Sequence, residues 1–189
     1  MEMKKLDNQK GFTLVEIAIV LVIIGLLLGG VLKGQELIEN AKIKAVTSDF
    51  DNISAAYYAY QDRTGNLPGD NDGSDNFDGS ITDAQLWTDL RAEGFIGGSG
   101  AAGPAHDLSG VWSGGNGSDA SNPFAAGVNA ICASNIPETF AQGMDTKLDD
   151  GNSLTGNILA VRSDGTAGAT GASGAYAAVE TRITLCKSL

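Results

Sequence analysis

The chain has 189 residues, enough for one modest domain with an appendage. A hydrophobic content of 42% supports a real core, while 26 glycines point to many turns and long loops. Its 12 basic and 23 acidic residues leave a formal charge of −11, which repels phosphate backbones and sets nucleic-acid binding aside.

The first element is the most informative. Lys4, Lys5 and Lys10 precede an apolar run from Phe12 to Leu32 that only Thr13 and Glu16 interrupt. Its roughly 21 residues, as a helix, span about 30 Å, the thickness of a bilayer core. Lysines before the run and acidic sequence after it place the N-terminus on the cytoplasmic side and the body outside. An ordinary secretory signal would be shorter and would close on a small-x-small cleavage site. A plain signal anchor is the closer alternative, and the glutamate argues against it. A carboxylate in hydrocarbon costs about 2.5–3.5 kcal/mol and usually has a partner. The cation within reach is a free α-amino group, made by a cut just before Phe12, on a neighbouring chain offset along the helix axis. The alternative is a glutamate at the membrane edge that simply reaches the headgroups.

Lys10-Gly11-Phe12-Thr13-Leu14-Val15-Glu16 resembles the processing motif of type IV prepilins and type II secretion pseudopilins. The resemblance implies a leader, residues 1–11, removed after Gly11 by a prepilin peptidase that also methylates the new N-terminus, Phe12. It further implies that Glu16 pairs with an adjacent subunit's N-terminus. Loss of three lysines and two acids would take the charge to −12. Many relatives carry a proline midway along this helix. Here Gly25, Gly29, Gly30 and Gly34 stand instead, and the Gly29-Gly30 pair is a place to bend or to pack closely.

Beyond Leu32 the pattern turns amphipathic. Leu37, Ile38, Ala41, Ala45, Val46, Phe50, Ile53, Tyr57 and Tyr60 recur at three- and four-residue spacing, which predicts one buried face. The apolar half (12–32) and amphipathic half (33–64) together form a rod of about 53 residues and roughly 80 Å. Gly65 and Pro68 end it, and a head domain follows over 65–189.

The head opens with a polar stretch. Ser74-x-Asn76-x-Asp78-Gly79-x-Ile81 fits the middle of an EF-hand loop, and Asp72, Asp75, Asn76 and Asp78 are candidate calcium ligands. Ser74 at the first ligand position and Gln85 at the bidentate position damage the match, and a solvated turn-rich loop is the competing reading. No other cofactor is expected. Thr82-Asp83-Ala84-Gln85 reads as a capping box opening a short helix that ends at Gly94, with Trp87 helping to dock it. Residues 97–127 read as irregular loop, and His106 within it as a solvated histidine. Pro137–Leu148 reads as a helix, 157–162 and 178–185 as strands, and 128–132 as a third strand. The glycines recurring every third residue between the last two strands need only a loop. In an exported body, Cys132 and Cys186 read as one disulfide closing about 50 residues, for which chain entropy gives roughly 4 kcal/mol; two separate buried thiols are the alternative.

The order of long helix, variable loop, antiparallel strands and C-terminal disulfide also resembles the pilin head, so the fold expected is α+β and pilin-like. No G-x-S-x-G, P-loop or H-E-x-x-H motif occurs, and no enzymatic activity is expected. The function this implies is a structural subunit of a type IV pilus-like filament, with a type II secretion pseudopilin in a periplasmic pseudopilus as the alternative. A membrane-anchored binding protein or enzyme, and a DNA-uptake pilin, rank below these. Implied partners are further copies of the chain, other pilin-like subunits, the prepilin peptidase/methyltransferase, and an inner-membrane assembly platform with its ATPase. The implied location is the bacterial inner membrane as a single-pass precursor, then a periplasmic or cell-surface filament.

Overall fold

The computed structural model describes residues 11–70, 79–117, 123–162, 167, 174–177 and 181–189. The elements are α1 (Leu14–Thr64), α2 (Asp83–Ala92), β1 (Trp112–Asn116), β2 (Asn129–Pro137), α3 (Glu138–Leu148), β3 (Ile158–Arg162) and β4 (Arg182–Ser188). The chain divides into two compact units, Met1–Ala41 and Lys42–Leu189.

In the first unit, α1 runs helical through Gly25, Gly29, Gly30 and Gly34. Its large apolar side chains from Phe12 to Leu32, and Leu37 and Ile38 beyond them, are exposed. Burying one such side chain is worth about 1.5–3 kcal/mol, so a run of them left open calls for lipid or a neighbouring chain. This is one helix long and apolar enough to cross a membrane.

The second unit begins where α1 acquires a core of its own. Val46, Phe50, Ile53 and Tyr57 are buried at helical spacing, and Phe50 meets Trp112 edge-on with ring centroids 4.7 Å apart. The expected amphipathic face therefore starts later than its periodicity predicts. Leu37, Ile38 and Ala41 keep the spacing but stay exposed, because the body's own packing starts at Lys42. Of the aromatic group, Tyr58 remains half exposed.

Among the described residues the sheet is four-stranded and antiparallel, in the order β1-β2-β4-β3. Between β2 and β4 the chain makes α3 and β3, so β4 returns to the centre of the sheet. Residues 97–127 are not all loop: Trp112–Asn116 forms β1, paired from Trp112↔Ala133 to Asn116↔Asn129. Two glycines and an asparagine gave this strand little intrinsic propensity, and pairing with β2 overrides it. A Cβ at Gly114 would lie 2.2 Å from Leu86 Cδ2, so a larger residue there would require the buried Leu86 side chain to shift. Of the strand expected over 178–185, residues 178–180 lie outside the described residues, and β4 continues three residues past the expected end, at Arg182–Ser188.

The start of α2 differs too. Thr82 makes no side-chain cap, and Gln85 donates to Asp89 Oδ1 at 2.6 Å. Asp83 organises this corner instead, its Oδ1 accepting from Trp87 Nε1 and from the Gly114 N–H, both at 2.7 Å. One acceptor thus ties helix, indole and strand together.

Cys132 and Cys186 face each other across β2 and β4 and are bonded, closing 54 residues. For a loop of that length the chain-entropy model gives about 4 kcal/mol. The double variant Cys132→Ser/Cys186→Ser is expected to lose stability of that order in a denaturant melt of the full chain. The wild type should fall to the same midpoint once reduced.

Candidate functional site

The N-terminal turn of α1 holds a reciprocal pair of contacts. The Thr13 N–H and the Thr13 hydroxyl both donate to Glu16 Oε2 at 2.8 Å, and the Glu16 N–H donates to Thr13 Oγ1 at 3.2 Å. Thr13 directly precedes the helix and Glu16 is its third residue, so this is a capping box satisfying donors that a helix start otherwise leaves open. Its sequence signature is Thr-x-x-Glu at residues 13–16, where the charge of Glu16 is the more conspicuous feature. Glu16 is thereby fixed in orientation by its own chain, next to Phe12, which is exposed. Gly11 is likewise exposed, and nothing lies within 4 Å of the position its Cβ would take. The peptide between Gly11 and Phe12 lies just outside the helix, the accessible setting a cut there requires.

In the head, the disulfide is in place, whereas the candidate calcium ligands Asp72, Asp75, Asn76 and Asp78 lie outside the described residues. The residues flanking them are held. Asp70 is buried and its Oδ1 accepts the Gly79 N–H at 3.0 Å, while Asn129 donates to the Gly79 carbonyl at 2.7 Å and accepts from the Ile81 N–H at 3.3 Å. Gly69, at φ +88°, passes so close to α2 that a Cβ would lie 3.0 Å from the Leu86 backbone.

His106 is not solvated; it is 7% exposed. Nε2 lies 2.9 Å from the Ser134 carbonyl and Nδ1 accepts the Leu108 N–H at 3.3 Å, which selects the neutral tautomer protonated at Nε2. The ring belongs to a clamp on a β-bulge. The β2–β4 register shifts between Ala133 and Ile136, and Asn135 takes φ 60°. Ser134 Oγ both receives the Val111 N–H and donates to the Val111 carbonyl, and Asn135 donates to the Ser109 carbonyl at 2.9 Å. A lone histidine among glycines carried no sequence signal for this role.

Residues 6–32 match the model of the prokaryotic N-terminal methylation motif. No curated protein and no solved structure matches the chain significantly. The match covers the processing segment, and beside it stand a long apolar N-terminal helix and a small antiparallel sheet, a pilin-like α+β layout. Together they support a protein of the type IV pilin and pseudopilin type, in which the motif implies processing by a prepilin peptidase and assembly with other pilin subunits. Such proteins are structural rather than enzymatic, and the helix and motif fit a membrane-anchored precursor.

Burial holds the His106 pKa below its ordinary value of 6.5, with the Ser134 carbonyl and the charges of Asp49 and Asp107 offsetting part of the shift. A group that protonates more readily when unfolded costs the fold stability as pH falls below its unfolded pKa, and the loss continues down to the depressed folded value. Wild-type stability should therefore decline more steeply below about pH 6.5 than that of His106→Gln. Denaturant midpoints of both proteins between pH 7.5 and pH 5 measure the difference; parallel curves would contradict the assignment.

Proposed function

We propose that this chain is a structural subunit of a type IV pilus-like filament. Cleavage after Gly11 frees the amine of Phe12, which becomes N-methylated. That amine then meets Glu16 of an axially offset neighbour, while the apolar helices bundle and the acidic heads face the medium. The observation that carries the reading is the combination at one helix end: a matched processing motif, an exposed Gly11-Phe12 peptide, and a carboxylate oriented four residues on.

The same residues suit a type II secretion pseudopilin, and Glu16 bears on both readings alike. A charge within an apolar segment disfavours the isolated helix in lipid and is neutralised only when an opposite charge is brought to it. The uncovered apolar run supports the same conclusion, since side-by-side helices would cover what the head leaves open.

Two variants separate the charge of Glu16 from its cap. Glu16→Gln retains a side chain able to close the box with Thr13 but carries no charge. Glu16→Ala loses both the charge and the capping contact. Both are expected to insert and to be cleaved, and both to enter sheared filaments at a small fraction of the wild-type level. Normal incorporation of Glu16→Gln would assign the residue to capping alone. Intact-mass analysis of native material should show a chain beginning at N-methylated Phe12; a chain retaining residues 1–11 would contradict the processing step.

A further inference from the structure

A cavity of about 310 Å³ opens on the head beside α1. One turn of α1 supplies Asp49 and Ile53, the segment after α2 supplies Phe95 and Ile96, and Pro104 and Trp112 line it as well. The fold holds these walls in place. The Phe95 and Ile96 N–H groups both donate to the Leu90 carbonyl, at 2.9 and 3.3 Å, which turns their segment back over the end of α2. The Arg63 guanidinium lies over the Phe95 ring, 4.7 Å from its centroid. Arg91 Nη1 donates to the Gly100 and Ala102 carbonyls at 2.6 and 2.9 Å, fixing the loop that leads to Pro104. A preformed, mostly apolar recess with few polar groups is the usual setting of a binding site.

The charged group here is a carboxylate without a counter-charge. Asp49 is half-buried and takes part in none of the ion pairs among the described residues. Other charges along α1 are matched: Asp51 meets Lys187 and Lys33 meets Glu36, both at 2.7 Å. Lys44 is exposed and likewise outside those pairs. It does not serve Asp49 of its own helix, because residues five apart do not share a helix face as those three or four apart do. Apolar walls beside one carboxylate suit a side chain with a hydrocarbon stem and a cationic end, which describes lysine.

We infer that the cavity receives Lys44 of a second copy, with its stem along Phe95 and Ile96 and its ammonium on Asp49. The inference rests on the pairing of Phe12 with Glu16 proposed above. Equivalent subunits of a filament are displaced by one axial step, the same at every residue. A step that brings Phe12 of one copy level with Glu16 of another is four residues of helix, about 6 Å. Lys44 precedes Asp49 by five residues, so the same step leaves them about 1.5 Å apart along the axis, well within the sweep of a lysine side chain. Lys42 is left about 4.5 Å short of Asp49 and is the poorer match. Each copy offers one lysine and one cavity, so the contact is heterologous and propagates without closing.

The test is carbodiimide crosslinking of wild-type filaments built from mixed isotope-labelled and unlabelled chains. An amide joining Lys44 of one label to Asp49 of the other is expected beside the one between Phe12 and Glu16. A Phe12–Glu16 product with Lys44 unlinked or joined to a different carboxylate, or with Asp49 joined to Lys42, overturns the cavity assignment and leaves the filament reading standing. Absence of both products contradicts the two together. Charge exchange gives a second readout. Lys44→Asp and Asp49→Lys should each lower filament yield about tenfold or more by setting like charges together, and combining them should recover most of it. A double variant no better than either single overturns the pairing, and the wild-type crosslink decides the matter if Asp49→Lys does not fold.

Discussion

A single negative charge set into an apolar helix governs this molecule. Glu16 stands five residues past Gly11, in a run whose other side chains suit lipid. Lipid cannot satisfy the charge, and the head, which begins its own packing at Lys42, is a distinct compact unit. Within the chain, Thr13 gives the carboxylate two hydrogen bonds but no counter-charge. The box therefore orients the carboxylate and leaves its charge for a partner to neutralise. A hydrogen-bonded carboxylate held in one rotamer is a better receptor for an incoming amine than a freely rotating one, because less ordering remains to be done on contact.

The two units solve different problems. The head encloses a core of α1 side chains, Trp87, Trp112 and the inner face of four strands, and closes it with one covalent link. It carries a core of its own. The N-terminal unit leaves its large apolar side chains exposed, which makes it dependent on apolar surroundings, lipid or other helices. The acidic composition fits that division. A net −11 discourages heads from associating nonspecifically, which suits the proposed assembly through apolar helices and one ion pair.

The parts legible from sequence were those with strong periodicity or a specific motif. The apolar run, the helical spacing of Val46, Phe50, Ile53 and Tyr57, and the strand 157–162 follow from period and propensity. The cysteine pairing followed from an even count and export, and the sheet register sets the two residues opposite each other. What escaped was structure determined by contacts distant in sequence. The strand Trp112–Asn116 has the composition of a loop and exists because β2 offers it an edge. His106 is buried because a bulge 28 residues away needs a donor for the Ser134 carbonyl. The box at Thr82 does not form: the Thr82 hydroxyl donates to the Gly69 carbonyl at 3.4 Å and Gln85 donates to Asp89.

The claim at the centre is that the amine of Phe12 in one subunit rests against Glu16 of another. Zero-length carbodiimide crosslinking reads this directly in filaments assembled from mixed isotope-labelled and unlabelled chains. An amide joining Phe12 to Glu16 and bridging a labelled with an unlabelled peptide is the expected product. Crosslinks confined to single chains, or an N-terminus still blocked by residues 1–11 in assembled material, would contradict it.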